Sequence, residues 1–190
     1  MGKIVLVSAT PLEHGGLKDI NGAPIFQVGI GKTNAAMNMT KIILEEEPDI
    51  VVNFGSCGNL SDFKVGDVIE VGTVCNNIDV RPFSDYGCTP ESDICDINLS
   101  KSEVRCFSTD QIYDNTRSDY AEKYKEMIKT SHIVDMECYP LAYVCTKFNI
   151  PFYSYKWVSD NGDVDTWEQN ASIGFENFRT KFLEHFYSEY

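Results

Sequence analysis

Two apolar segments of this chain each run into an acidic residue. Ile133-Val134-Asp135-Met136 leads into Glu137, and Val158-Ser159 leads into Asp160. Both endings have the look of strand termini, where α/β proteins build their sites. One carboxylate placed there can grip a diol through charge-assisted hydrogen bonds. The other can deliver a proton. Together they are equipment for breaking a bond between a sugar and a heterocycle, a cleavage that passes through an oxocarbenium-like sugar. Each residue also has a plainer reading. Glu137 at a helix start complements the helix dipole, an effect of up to about 1 kcal/mol. Asp160 opens the turn-forming run Asp160-Asn161-Gly162-Asp163.

Other stretches are weaker. Gly29-Ile30-Gly31-Lys32-Thr33 contains a Gly-Lys-Thr, but Phe26 stands where a phosphate loop needs its first glycine. A tight strand-to-helix junction fits better. Gly55-Ser56-Cys57-Gly58 follows an apolar run; its glycines let backbone approach a ligand, and Ser56 adds a hydroxyl. His14, His132 and His185 have no ligand spacing, and none of the seven cysteines forms a CxxC pair. No metal and no cofactor are expected. The cysteines read as buried reduced thiols, with Cys88 and Cys95, in a polar loop, the most open to oxidation.

These residues need a scaffold of strands and helices. Apolar runs at Lys3 to Ala9, Ile50 to Phe54, Val65 to Val74, Val104 to Ser108, His132 to Val134 and Pro151 to Val158 read as strands. Asn21-Gly22 marks a hairpin turn within a Gly-rich segment. Helical spacing is expected from Gly31 to Glu47, from Arg117 to Lys129, and after Glu137 to about Phe148, with Pro140 suggesting a start near itself. A last helix, Trp167 to Tyr187, carries an aromatic stripe at Phe175, Phe178, Phe182 and Phe186. Residues 76–102 read as an ordered loop. Strands alternating with helices predict an α/β fold, with a mainly parallel sheet covered on both faces. One domain over residues 1–190 is expected.

The formal net charge is −13, with acidic residues spread along the chain, which argues against a nucleic acid polymer as partner. No apolar run is long enough for a membrane span. The apolar stretch at the N-terminus is too short for a signal peptide and reads as a first core strand, so a cytoplasmic protein is expected. A small neutral ligand suits this charge balance.

Five segments in order resemble the nucleoside phosphorylase/nucleosidase superfamily, and most of all its methylthioadenosine/S-adenosylhomocysteine nucleosidases. They are Gly29-Ile30-Gly31-Lys32, the run from Pro48 to Leu60, Lys64 to Ile69, Val134 to Glu137, and Asn149 to Asp160. The resemblance implies a three-layer α/β/α sandwich with a twisted central mixed β-sheet, acting on a purine nucleoside. Asp160 then matches the acid that protonates N7 of the base, and Ser159 lies beside it. Glu137 matches the carboxylate that holds the ribose hydroxyls, with Met136 against the sugar. Glu13 falls where nucleosidases activate water, and Ser56 and Gly58 lie near that water. Tyr113 falls where backbone reads the base edge. Ile112 stands where a phenylalanine usually stacks on the purine, with Tyr113 or Phe83 as aromatic substitutes. Lys156 replaces an arginine near the water, and Arg81 lies in a loop directed at the 5′ group or a partner subunit. The chain is shorter than typical members, the missing part falling at residues 85–102. A homodimer or larger assembly is implied. Two other readings remain open: a phosphorylase, although no basic residue precedes the Gly55-Ser56 run, and a nucleoside-binding protein without catalysis.

Overall fold

The computed structural model describes residues 2–90, 92 and 94–188. Its core is a mixed sheet laid down by ten strands: β1 (Ile4–Ser8), β2 (Asp19–Ile20), β3 (Ala23–Gln27), β4 (Ile50–Asn59), β5 (Val68–Glu70), β6 (Thr73–Asn76), β7 (Ile97–Asn98), β8 (Arg105–Ser108), β9 (Ile133–Asp135) and β10 (Phe152–Asp160). The helices are α1 (Lys32–Glu46), α2 (Glu122–Lys129), α3 (Cys138–Lys147), α4 (Val164–Asn170) and α5 (Phe175–Tyr187). Strand order is β2-β3-β1-β4-β9-β8-β6-β7, with β10 against β4 and β5.

β4 organises the molecule. One of its sides carries β10, parallel, from Val51 to Gly58. Its other side is shared: β1 pairs parallel with Ile50 to Asn53, and β9 pairs antiparallel only at Gly58 and Asn59. Between Asn53 and Gly58 that second side has no strand neighbour. The sheet therefore opens at the ends of β1 and β9, and the chain following each strand enters the gap.

Apolar burial sets the layers. α1 and α3 cover one face through Ala35, Met39, Leu141 and Cys145, over Val5, Val7, Val51 and Val158. The aromatic stripe of α5 covers the other, with Phe178 stacked on Phe54 at 4.6 Å between ring centres. α2 lays Tyr124 edge-on to Phe107 at 5.2 Å. This is the expected three-layer α/β sandwich.

Several elements differ from the sequence expectation. The strand expected over Val65 to Val74 is two strands, because β5 pairs with β10 whereas β6 pairs with β8. The last helix is broken: α4 ends at Asn170 and α5 begins at Phe175. Trp157 forces the break. Its Nε1 donates to the Ala171 carbonyl at 2.9 Å, and a Cβ on Gly174 would lie 2.3 Å from its own Cβ. α2 starts five residues later than Arg117, since Asp114 Oδ1 accepts from Thr116 N (2.8 Å) and Thr116 Oγ1 (2.7 Å) in a tight turn. The loop at 76–102 contains β7 and a disulfide, Cys88–Cys95; the other five cysteines are free and buried.

Candidate active site

α3 starts at Cys138, earlier than Pro140 suggested, because every early backbone group is provided for. Cys138 N donates to Asp135 Oδ2 at 2.8 Å, and Tyr139 N to Ser108 Oγ at 2.8 Å. Pro140 has no N–H to satisfy, and Leu141 N reaches the Glu137 carbonyl at 3.1 Å. Ser108 Oγ donates to Asp135 Oδ1 at 2.6 Å. The turn carrying Met136 and Glu137 is thus bolted to β8 and β9. Glu137 Oε1 accepts from Gly31 N at 2.9 Å; among the described residues no donor reaches Oε2. Burial, aided by the Asp135 charge and opposed by Lys156, lifts the Glu137 carboxyl to about 8.

Glu13 closes a 3-10 turn, Pro11–Glu13, that follows β1 into the sheet opening. Its Oε2 accepts from Ala9 N (3.0 Å) and Thr10 N (3.2 Å). Its Oε1 accepts from Ser56 N (2.8 Å) and Ser56 Oγ (3.0 Å). A central-strand N–H is thereby satisfied by a side chain. The approach requires glycine next door: a Cβ on Gly55 would stand 2.6 Å from Glu13 Oε1. Burial pushes the Glu13 carboxyl above its ordinary range, while the Lys156 charge and the Ser56 and Thr10 N–H groups pull it back.

Asp160 ends β10. Gly162 N donates to its Oδ1 at 2.8 Å. Ser159 Oγ lies 2.7 Å from Asp160 Oδ2 and 3.1 Å from the Cys57 carbonyl. A hydroxyl has one proton and two lone pairs. Ser159 can donate to the Asp160 carboxylate or to the Cys57 carbonyl, with no heavy atom moving.

Glu13, Ser56, Gly58, Ile112, Tyr113, Met136, Glu137 and Asp160 all line one pocket. Ala9, Thr10, Ile30, Cys57, Thr109, Gln111, Val134, Asp135 and Trp167 complete it. Tyr113 is half-buried against Tyr120, ring centres 6.2 Å apart, while Ile112 is exposed at the rim. Of the expected site residues, Ser159 sits behind the wall, through its bond to Asp160. Lys156 is also behind it, fully buried, its Nζ 2.8 Å from Asp135 Oδ2. Burial works against that ammonium, but Asp135 foremost, with Glu137 and Glu13, holds its proton more tightly than usual. Arg81 is outside the pocket, exposed and paired with Asp79 at 2.6 Å, and Phe83 is solvent-exposed.

Cys106, Asp135 and Cys138 place three ligand-type atoms within 4.8 Å of one another. The oxygens of Asp135 are already engaged by Ser108, Cys138 N and Lys156, so the cluster houses an ammonium rather than offering a metal seat. Trp167 and Thr10 are residues that sequence reasoning does not place in the site. Trp167 stands eleven residues before Phe178, within the helical register of the aromatic stripe, so spacing alone does not separate it from the core. The Thr10 hydroxyl is buried with no protein partner.

Four carboxylates and no lysine, arginine or histidine line the pocket among the described residues. Fold and site together define an α/β sandwich with an acidic pocket at the opening of its sheet. The chain belongs to the phosphorylase superfamily, whose sequence profile matches residues 12–188. The 5′-methylthioadenosine/S-adenosylhomocysteine nucleosidase of Staphylococcus aureus is 30% identical over 179 residues, covering 83% of this chain and 74% of that protein. The Streptococcus pneumoniae nucleosidase of the same name, solved with 8-aminoadenine, superposes with a TM-score of 0.80 at 19% identity, over 95% of this chain and 97% of that one. Futalosine hydrolase of Helicobacter pylori superposes with a TM-score of 0.75 at 21% identity, over 95% and 97%. At these identities the structural likeness is one of fold.

Proposed function

We propose that this protein is a purine nucleosidase that hydrolyses the N-glycosidic bond of a nucleoside to free base and free sugar. The substrate class suggested by the named relatives is 5′-thio-modified adenosine. The observation that carries this reading is the convergence of Glu13, Glu137 and Asp160 on one pocket that no cation lines. Phosphorolysis needs positive groups to hold phosphate, and none lines the pocket among the described residues.

In this reading Glu137 accepts from the ribose hydroxyls through its unengaged Oε2, and Met136 packs against the sugar. Tyr113 borders the base, with Ile112 at the rim. Asp160 gives its proton to N7, so the electrons of the breaking C1′–N9 bond leave on a neutral purine. Glu13, placed by Ser56 and with Gly58 nearby, takes the proton of the water that attacks C1′. Lys156 acts from behind, holding Asp135 and biasing Glu13 toward its charged form. Arg81, outside the pocket, is assigned to the 5′ side only if its loop is brought over by a second subunit. A homodimer, a cytoplasmic setting and independence from cofactors belong to the same proposal. Five free buried cysteines suit a reducing setting, beside one disulfide, Cys88–Cys95.

The test is incubation with a panel of purine nucleosides, with and without phosphate, and separation of the products by chromatography. Free base and free or 5′-modified ribose without phosphate is the expected result. Phosphate-dependent formation of ribose 1-phosphate would make the protein a phosphorylase.

A further inference from the structure

The hydrogen bonds that hold Glu13 extend past Ser56. Ser56 Oγ, which donates to Glu13 Oε1 at 3.0 Å, itself accepts from Trp167 Nε1 at 2.9 Å. An indole N–H only donates, and a serine hydroxyl has a single proton. With one hydroxyl lone pair taken by the indole, the proton is directed to the carboxylate. Trp167 is half-buried in the pocket wall, on α4. That helix is tied to the strand that ends in Asp160: Asp163 caps its start by accepting from Asp165 N at 3.1 Å, and Asn170 Nδ2 donates to the Ser159 carbonyl at 2.8 Å. The loop before α4 is held on the Tyr113 side, where Asn115 Nδ2 donates to the Asn161 carbonyl at 2.8 Å. One short helix therefore touches the supports of both Asp160 and Glu13.

We propose that Trp167 is a positioning residue for the water-activating carboxylate, acting through Ser56 to aim Glu13 and to keep it ionised. The proposal rests on the nucleosidase reading, in which Glu13 is the base. The other groups facing Glu13 are fixed independently of α4. Lys156 on β10 favours the carboxylate. Glu137, after β9, opposes it, and Asp135 is tied to Lys156. His14, on the same turn as Glu13, is buried with neither ring nitrogen bonded among the described residues, and burial lowers its basicity. Trp167 adds no charge, so its effect is confined to the hydrogen bond.

Trp167→Phe keeps the ring and removes the N–H. The turnover number should fall by up to about tenfold, the upper scale of one neutral hydrogen bond, with KM within about twofold. The acidic limb of the kcat/KM profile should move to higher pH, because Ser56 is no longer held as a donor to the charged form of Glu13. Ser56→Ala should move the limb in the same direction, and the double variant no further than Ser56→Ala alone. A readout free of turnover is the Trp167 indole N–H in proton–nitrogen NMR. It should titrate with pH in the wild type and stop titrating in Glu13→Gln. The other of the two tryptophans, Trp157, bonded to Ala171 in the core, is the internal control and should stay still. An unmoved acidic limb in a folded Trp167→Phe, a change in KM alone, or a non-titrating Trp167 indole would each overturn the proposal. Should the wild type hydrolyse no nucleoside, the nucleosidase reading fails, and the indole titration alone then decides whether the hydrogen-bond chain exists.

Discussion

At the scale of single residues, Glu13, Glu137 and Asp160, three of the four pocket carboxylates, are held in three different ways, and their substitutions should separate. Asp160→Asn preserves size and the contact from Gly162 but has no proton to give. Loss of a general acid costs a hundred- to ten-thousandfold, so turnover should fall by at least about a hundredfold in a chain that still folds. Turnover within about threefold of wild type, far short of that loss, would move the acid elsewhere. Glu137 behaves differently because its carboxyl is raised from 4.5 to about 8. The folded chain then binds a proton that the unfolded chain has released, so stability falls as pH rises from about 5 to about 8. At one pKa unit per 1.36 kcal/mol the effect has an upper limit of about 5 kcal/mol, shared among Glu137, Asp135 and Lys156. Glu137→Gln should flatten that slope and melt above the wild type at pH 8, while raising KM for a nucleoside. Parallel melting curves for the two proteins from pH 5.5 to 8.5 would show that burial does not hold the Glu137 proton.

At the scale of elements, β4 does the most to shape the pocket, because it exchanges β1 for β9 along one side and leaves a gap. Gly55 lies in that gap. Gly55→Ala would drive a methyl to within 2.6 Å of Glu13 Oε1, so one of them must move. Overpacking of this kind costs about 1–3 kcal/mol. The variant should remain folded by circular dichroism and lose most of its activity; full activity would mean that the Glu13 position is not critical. The sequence makes some of this legible. Glu137 and Asp160 follow apolar runs that end abruptly, a local pattern that places them at strand ends. Asn21-Gly22 and the α5 stripe are local too. The Lys156–Asp135 pair is not local: β10 and β9 lie on opposite sides of β4, and no spacing in the chain announces that they meet. Trp167 reaches Ser56 across 111 positions. The break before α5 depends on Trp157, a strand residue that no helical periodicity takes into account. Glu13 stands out only through the family resemblance, since nothing in Pro11-Leu12-Glu13 alone separates it from a surface turn.

At the scale of the whole molecule, a net charge of −13 surrounds a pocket that is itself acidic. A neutral nucleoside enters that field without penalty, whereas nucleotides are repelled. Leu12, Ile30, Ile112 and Phe83 are exposed apolar residues, and two of them, Ile30 and Ile112, form part of the pocket wall. A second copy covering the mouth would bury Ile30 and Ile112 and close it. The protein should therefore scatter light as a dimer or larger assembly at micromolar concentration. A monomer would leave the 5′ side of the site open and argue for tolerance of bulky 5′ groups.

The bond from Ser56 N to Glu13 has a further use. Amides at the middle of a central strand ordinarily exchange with deuterium only when the whole protein opens. Ser56 is locked by a carboxylate instead of by a neighbouring strand, so its protection lasts only while that carboxylate stays in place. A slow amide that turns fast in Glu13→Ala, while Val52 and Phe54 stay slow, would turn hydrogen exchange at one backbone atom into a gauge of whether the site is assembled, with no substrate added.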